Sequence, residues 1–183
     1  MFDPGDSLPV DSAYAEDMLF TDGLPALDPN IGYRGTSAAT AAGISYRQLD
    51  YWDRTELVQP TVRGATGSGS QRLYAFRDII VLKLVKRLLD TGVSLQQIRT
   101  AVEQLRAAGI SDLARITLMS DGARVYLCTS KDEVIDLLAR GQGVFGIAVG
   151  SVLREVEATL ITMAPSELEA HDELAAKRHK RAV

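Results

Sequence analysis

"GISYRQLDYWDRTELVQP", residues 43–60, decides how the rest of the chain is read. Ser45 and Gln48 stand at capping-box spacing, in which the serine side chain accepts from the N3 amide and the glutamine reaches back to the serine amide. Ile44 before the cap and Leu49 after it supply the matching hydrophobic staple. Together these signals predict a helix from about Tyr46 to about Thr55. Leu49 and Trp52 turn inward, with Leu57 just beyond the end, while Arg47, Tyr51 and Arg54 recur at i, i+4 and i+7 on the face that remains. Packing accounts for Trp52. It does not account for the outer strip, which taken alone is either a solvated face or a contact surface.

On the N-terminal side, Thr36 stands where it would cap a short small-residue helix, "SAATAA", which Gly43 stops. On the other side Pro60 closes the unit, and "TVRGATGSGSQRLYAF" (61–76) reads as two extended runs around a Gly- and Ser-rich tip. That hairpin carries Arg63 on its first run and Arg72 and Tyr74 on its second. Phe76, Ile79, Ile80, Leu84 and Leu88 then mark a strongly apolar helix ending near Gly92. The capping device repeats at Ser94 and Gln97, with Val93 and Ile98 as the staple. Leu95, Ile98, Val102 and Leu105 are expected to line the buried side of that last helix, and Gly109 to end it. Helix, turn, helix, hairpin, helix, helix is the order of a winged helix-turn-helix. In such a fold the second helix enters the major groove and the hairpin rests on the backbone. Arg47 and Arg54 suit phosphates or guanine edges, Gln48 and Tyr51 can hydrogen-bond, and Thr36 lies where helix amides would meet a phosphate.

Residues 43–60 followed by "SQRLYAFRDIIVLKLVKRLLDTGVSLQQI" (70–98) resemble the DNA-binding domain of the MerR family of bacterial transcription regulators. The shared features are the aromatic pair Tyr51 and Trp52, the Leu-x-x-Pro exit at Leu57 to Pro60, the wing ending in Arg72-x-Tyr74, and the Gly-aliphatic-Ser-Leu break at Gly92 to Leu95. The resemblance covers about residues 32–108. It implies that Arg47, Tyr51 and Arg72 contact the DNA backbone and groove, and that Thr36 lies near a phosphate. It also implies a dimer bound between promoter elements, distorting double-stranded DNA where RNA polymerase acts. The chain departs from the family at Asp50, where an arginine is usual, and at Gln71, where a tyrosine is usual. It also lacks the long uninterrupted heptad pattern of the usual dimer helix, and the cysteines of the metal-sensing branch.

Residues 110–163 have a different grain. "ITLMSDGARVYLC" is a hairpin signal around Asp121 and Gly122, and "SKDEVIDLLARG" is a short helix capped by Ser130 with Glu133 in the box position. "GVFGIAV" is either a buried strand or an apolar loop, and Val152, Val156 and Leu160 are spaced as a helix. The expected fold is therefore mainly α: a MerR-type winged helix-turn-helix at 32–109, then a small α/β domain at 110–163 for dimerisation or sensing. An acidic arm, 1–31, precedes them and a charged tail, 164–183, follows.

Charge is distributed unevenly beneath the net value of −4. Residues 1–31 carry seven acids and no Lys or Arg, and four prolines interrupt them, the composition of a disordered arm that could compete with DNA. Residues 32–109 hold eleven basic side chains against six acidic ones. The global pI would argue against nucleic acid; the local excess restores it, because phosphate attraction is a patch property screened beyond about 10 Å. Cys128 stands alone and the only histidines, His171 and His179, lie in the tail, so no metal centre or disulfide is expected. With no activated nucleophile and no phosphate loop, the sequence points away from an enzyme and implies no cofactor. The absence of a signal pattern and of a long apolar run points to a cytoplasmic, nucleoid-associated protein and away from a membrane. An architectural or antitoxin-like DNA binder, and a protein-interaction module docking through the aromatic helix, remain as other readings of the same residues.

Overall fold

A computed structural model describes residues 31–65, 71–109, 113–141 and 145–163. The acidic arm up to residue 30, the wing tip at 66–70 and the charged tail from 164 lie outside the described residues. The chain opens with a two-residue strand, β1 (Tyr33–Arg34), and passes directly into α1 (Gly35–Ala42). Pairing of β1 with a later strand holds the backbone extended up to Arg34, so the helix starts at Gly35. Thr36 is accordingly not its cap; it sits exposed in the first turn, its carbonyl accepting from Thr40 Oγ1 at 3.0 Å.

Gly43 ends α1 in the left-handed region at φ 72°, which a glycine adopts without a Cβ penalty. Its neighbour Ser45 then starts α2 (Tyr46–Arg54) with the full box: the Gln48 amide donates to Ser45 Oγ at 3.1 Å and the Ser45 amide donates to Gln48 Oε1 at 2.9 Å. Leu49, Trp52 and Leu57 are all buried. Arg63 and Leu73 exchange two antiparallel backbone bonds, 3.1 and 2.9 Å, across the base of the hairpin. The return strand β2 (Leu73–Tyr74) has β1 on its other side, in the register Tyr33↔Tyr74 and Arg34↔Leu73.

Two helices complete this half, α3 (Phe76–Asp90) and α4 (Leu95–Ala107). Ser94 caps α4 by accepting from the Gln97 amide, but the return bond of the expected box does not form. Ile98, Ala101, Val102 and Leu105 are buried, whereas Leu95, expected inside, is 38% exposed because it lies in the first turn, short of the contact with α3.

The second half is a three-stranded antiparallel sheet in the order β4-β3-β5, with β3 (Thr117–Ser120), β4 (Val125–Cys128) and β5 (Phe145–Ala148), so "GVFGIAV" supplies a strand. Asp121 makes the tight turn: its Oδ1 accepts from the Ala123 and Arg124 amides at 2.9 and 2.6 Å, and Gly122 takes φ 89°. Between β4 and β5 runs α5 (Lys131–Ala139), which buries none of its residues. From β5 the chain turns straight into α6 (Val149–Thr162), whose Val152, Val156 and Leu160 join Leu84 and Val85 of α3 in one continuous core. Gly150 allows this junction, since a Cβ there would lie 2.7 Å from the Ala114 carbonyl oxygen. Arg87 and Lys83 of α3 seal the same contact by pairing with Glu155 at 2.6 and 3.5 Å. The fold is thus mainly α, with a winged helix-turn-helix and a small C-terminal sheet, as the sequence implies.

Candidate nucleic-acid interface

The outer face of α2 presents Tyr46 and Tyr51, 54% and 51% exposed, with Arg47 and Arg54 beside them. Arg47 makes no ion pair with any described residue. Gln48, half-buried, spends its side-chain oxygen on the Ser45 amide, which leaves its amide nitrogen as the group able to donate outward. Tyr46 was not singled out by the sequence pattern. Its ring rests over Gly35, where a Cβ would come within 3.0 Å of Cε2, so the missing side chain at the start of α1 seats an aromatic at the start of α2. Its place at the first helical position, one turn before Asp50, was the available signal.

Asp50 is where the geometry adds most. Its carboxylate takes Arg54 at 2.9 Å, the i+4 pair that the sequence suggests, and also Arg72 from the wing at 2.9 Å. The Nε of Arg72 lies 2.8 Å from Asp53. Arg72 therefore bridges two acids one turn apart on α2, and its side chain is only 16% exposed. The hydrogen bond from Arg72 holds the Asp50 carboxyl below its ordinary value against the opposing effect of desolvation, with the charge of Arg54 helping. The guanidinium that the resemblance implies as a DNA contact is thus engaged in fixing the wing to α2. Tyr74 goes further inward: it has no exposed surface, its hydroxyl finds no partner among the described residues, and burial raises its pKa. It packs beneath the interface, so the expectation of Tyr74 as a surface contact is corrected by its inward-facing place in β2.

Arg63 donates from Nε to the Gln71 carbonyl at 3.0 Å, which steadies the hairpin just below the tip. Asp78 anchors the hairpin from behind, its buried Oδ2 accepting from the Thr61 amide, the Thr61 hydroxyl and the Ala75 amide, each at 2.8 Å. Burial raises its pKa despite these three donors. The far end of α2 is held from α4: Arg99 donates to the Thr55 carbonyl and Arg106 to the Leu57 carbonyl, both at 2.9 Å. Glu56, between them, has a left-handed φ of 57°. Arg47, Tyr51 and Arg54 are brought together on one exposed face, with Thr36 exposed at the start of α1 and Arg63 on the wing; Arg72 and Tyr74 stand behind them.

A sequence profile described as "MerR HTH family regulatory protein" matches residues 33–105. An uncharacterised HTH-type transcriptional regulator of Mycobacterium tuberculosis is 56% identical over 161 residues, spanning 84% of this chain and 72% of its own. The chain belongs to the MerR family. Other MerR relatives share less of it. The HTH-type transcriptional regulator HmrR of Sinorhizobium medicae is 31% identical over 91 residues, 49% of this chain and 57% of that one. The HTH-type transcriptional repressor CarH of Myxococcus xanthus is 32% identical over 144 residues, 79% of this chain and 44% of that one. A crystal structure of a MerR regulator from Bacillus cereus matches 40% of this chain and 53% of its own at 26% identity and a TM-score of 0.35. As a MerR protein the chain is a DNA-binding transcriptional regulator. No helix among the described residues is long and apolar enough to cross a membrane.

Proposed function

We propose that the chain acts as a homodimer on a (pseudo)palindromic promoter operator, with residues 32–109 as the DNA-binding unit and 110–163 as the dimerising unit. Each protomer lays α2 in a major groove and its wing on the adjacent backbone, and the two-fold axis of the protein matches that of the site. The reading is carried by one observation: Arg47, Tyr51 and Arg54 share an exposed face of a helix whose partner wing is clamped to it through Arg72. Arg47 and Gln48 read base edges, Tyr51, Arg54 and Thr36 hold phosphates, and Arg63 follows the backbone at the wing. Binding near promoter elements brings RNA polymerase into reach, within the cytoplasm where the nucleoid lies.

Fluorescence anisotropy with the fragment upstream of the protein's own gene and a scrambled fragment of equal length, across a salt series, tests this. A large preference for the upstream fragment, with one dimer bound per site, is the expected result. Equal binding to both sinks the promoter-operator reading in favour of an architectural role, and no binding at low salt turns the aromatic helix into a protein-docking face.

A further inference from the structure

α5 stands off the sheet it follows. Val134 is only half-buried, Ile135 is 60% exposed, and no residue of the helix is buried. Protein interiors close gaps to near-crystalline density, so an apolar helix face held away from the sheet beneath it marks a place that something else fills. The gap between α5 and the β3–β4 hairpin is a cavity of 530 Å³. Its walls are Val134 and Ile135 on the helix side and Thr117 with Cys128 on the sheet side. Arg115 and Lys131 also line it, and neither makes an ion pair or hydrogen bond with any described residue. Among the described residues no carboxylate belongs to the lining, and the nearby Glu133 is turned to the Thr129 amide.

We infer that this cavity binds a small amphipathic anion, a carboxylate carrying an apolar body about the length of a medium acyl chain. The lining divides the two ends of such a molecule. Val134, Ile135 and the Cys128 side chain take the apolar body, while the Arg115 guanidinium and the Lys131 ammonium meet the carboxylate, with the Thr117 hydroxyl as a further donor. These side chains, and not the helix end, make the anion site; at that end Ser130 Oγ accepts from the Glu133 amide and the Glu133 carboxylate accepts from the Thr129 amide. Cys128 acts as floor and not as nucleophile. It is 2% exposed, and burial, with the charge of Glu133, holds its thiol protonated. A neutral body of the same length would gain the apolar contact alone, and a cationic one would be repelled.

Isothermal titration of the full chain, without DNA, uses octanoate, octan-1-ol and octyltrimethylammonium as probes. Saturable octanoate binding is expected, with octan-1-ol weaker by about tenfold or more and the ammonium not binding. Replacing both cations, Arg115→Gln with Lys131→Gln, should abolish the preference for octanoate over the alcohol. Ile135→Asn should weaken both by about tenfold. All three positions are exposed, so circular dichroism should show the variants folded. Three results overturn the inference: no saturation by octanoate up to millimolar concentration, equal affinity for all three probes, or octanoate binding untouched by the variants. A shift from dimer to monomer in sedimentation of Ile135→Asn, with no octanoate effect on the parent chain, would also overturn it and assign the gap to a second copy. These outcomes are independent of whether the chain recognises an operator.

Discussion

Arg72 on the return run of the wing lies 2.8 Å from Asp53 on α2, and the same guanidinium reaches Asp50 at 2.9 Å. A cation already matched by two carboxylates releases little counterion when DNA arrives. Arg72→Ala should therefore weaken binding to every sequence by loosening the wing while leaving the dependence of log K on log salt nearly unchanged. Arg47→Ala, which removes a cation that no described residue pairs, should instead reduce that slope by about one. Anisotropy titrations over a salt series separate the two; a slope reduction for Arg72→Ala as large as that for Arg47→Ala would mean that Arg72 leaves its acids to meet phosphate.

The buried acceptor under the hairpin makes a stability prediction. Asp78→Ala strands the Thr61 and Ala75 amides, both of which donate to Oδ2 at 2.8 Å, and should cost about 2–4 kcal/mol. Urea denaturation followed by Trp52 fluorescence measures it. Asp78→Asn keeps the shape and one acceptor oxygen and should lose less.

Acid should loosen the wing before it unfolds the chain. The Asp50 carboxyl titrates below its unfolded value because Arg72, foremost, binds its charged form. Asp121 is lowered by the amides of Arg124 and Ala123. For Glu155 burial works upward, yet the Arg87 hydrogen bond and the charges of Arg87 and Lys83 leave a net lowering. A lowered folded pKa contributes stability that is present above the unfolded value, about pH 4, and is lost as pH falls through the folded value. Thermal denaturation between pH 6 and 3 should show a falling midpoint whose steepest part lies below about pH 4. Asp50→Asn should flatten it; an unaltered profile in that variant would remove Asp50 from the account.

At the start of α6 the constraint is steric. Gly150→Ala sets a Cβ against the Ala114 backbone oxygen, 2.7 Å away, and backbone cannot yield as a side chain does. A loss of about 1–3 kcal/mol is expected by denaturant unfolding, in spite of alanine's better helix propensity.

Much of this arrangement was readable from local chemistry. The box at Ser45 and Gln48, the inward Leu49 and Trp52, and the Asp121–Gly122 turn each depend on residues within one or two turns of each other, and each formed. What escaped was set by distant partners. Thr36 lost its capping place because Tyr33 and Arg34 pair with residues 73 and 74, a contact that no local window contains. Tyr74 looked like part of a surface motif, but β2 lies between β1 and Arg63, and both of its residues, Leu73 and Tyr74, are buried. Arg72 read as a free cation because its two acids lie some twenty residues away in sequence, on another element. For β5 the apolar run suited a strand or a loop equally, and only the open edge of β3 decided between them.

The arginines that α4 sends to the end of α2 give the fold an order of assembly. The Thr55 and Leu57 carbonyls receive their donors from residues 44 and 49 positions further along the chain. As the chain leaves the ribosome, a recognition helix could wind early but its last turn would fray until residue 106 emerged. Amide exchange in the last turn of α2 should then follow the opening of α4 and not that of its immediate neighbour α1. A fragment ending at Gly92 would keep every side chain proposed to touch DNA and still present them on an unfinished helix.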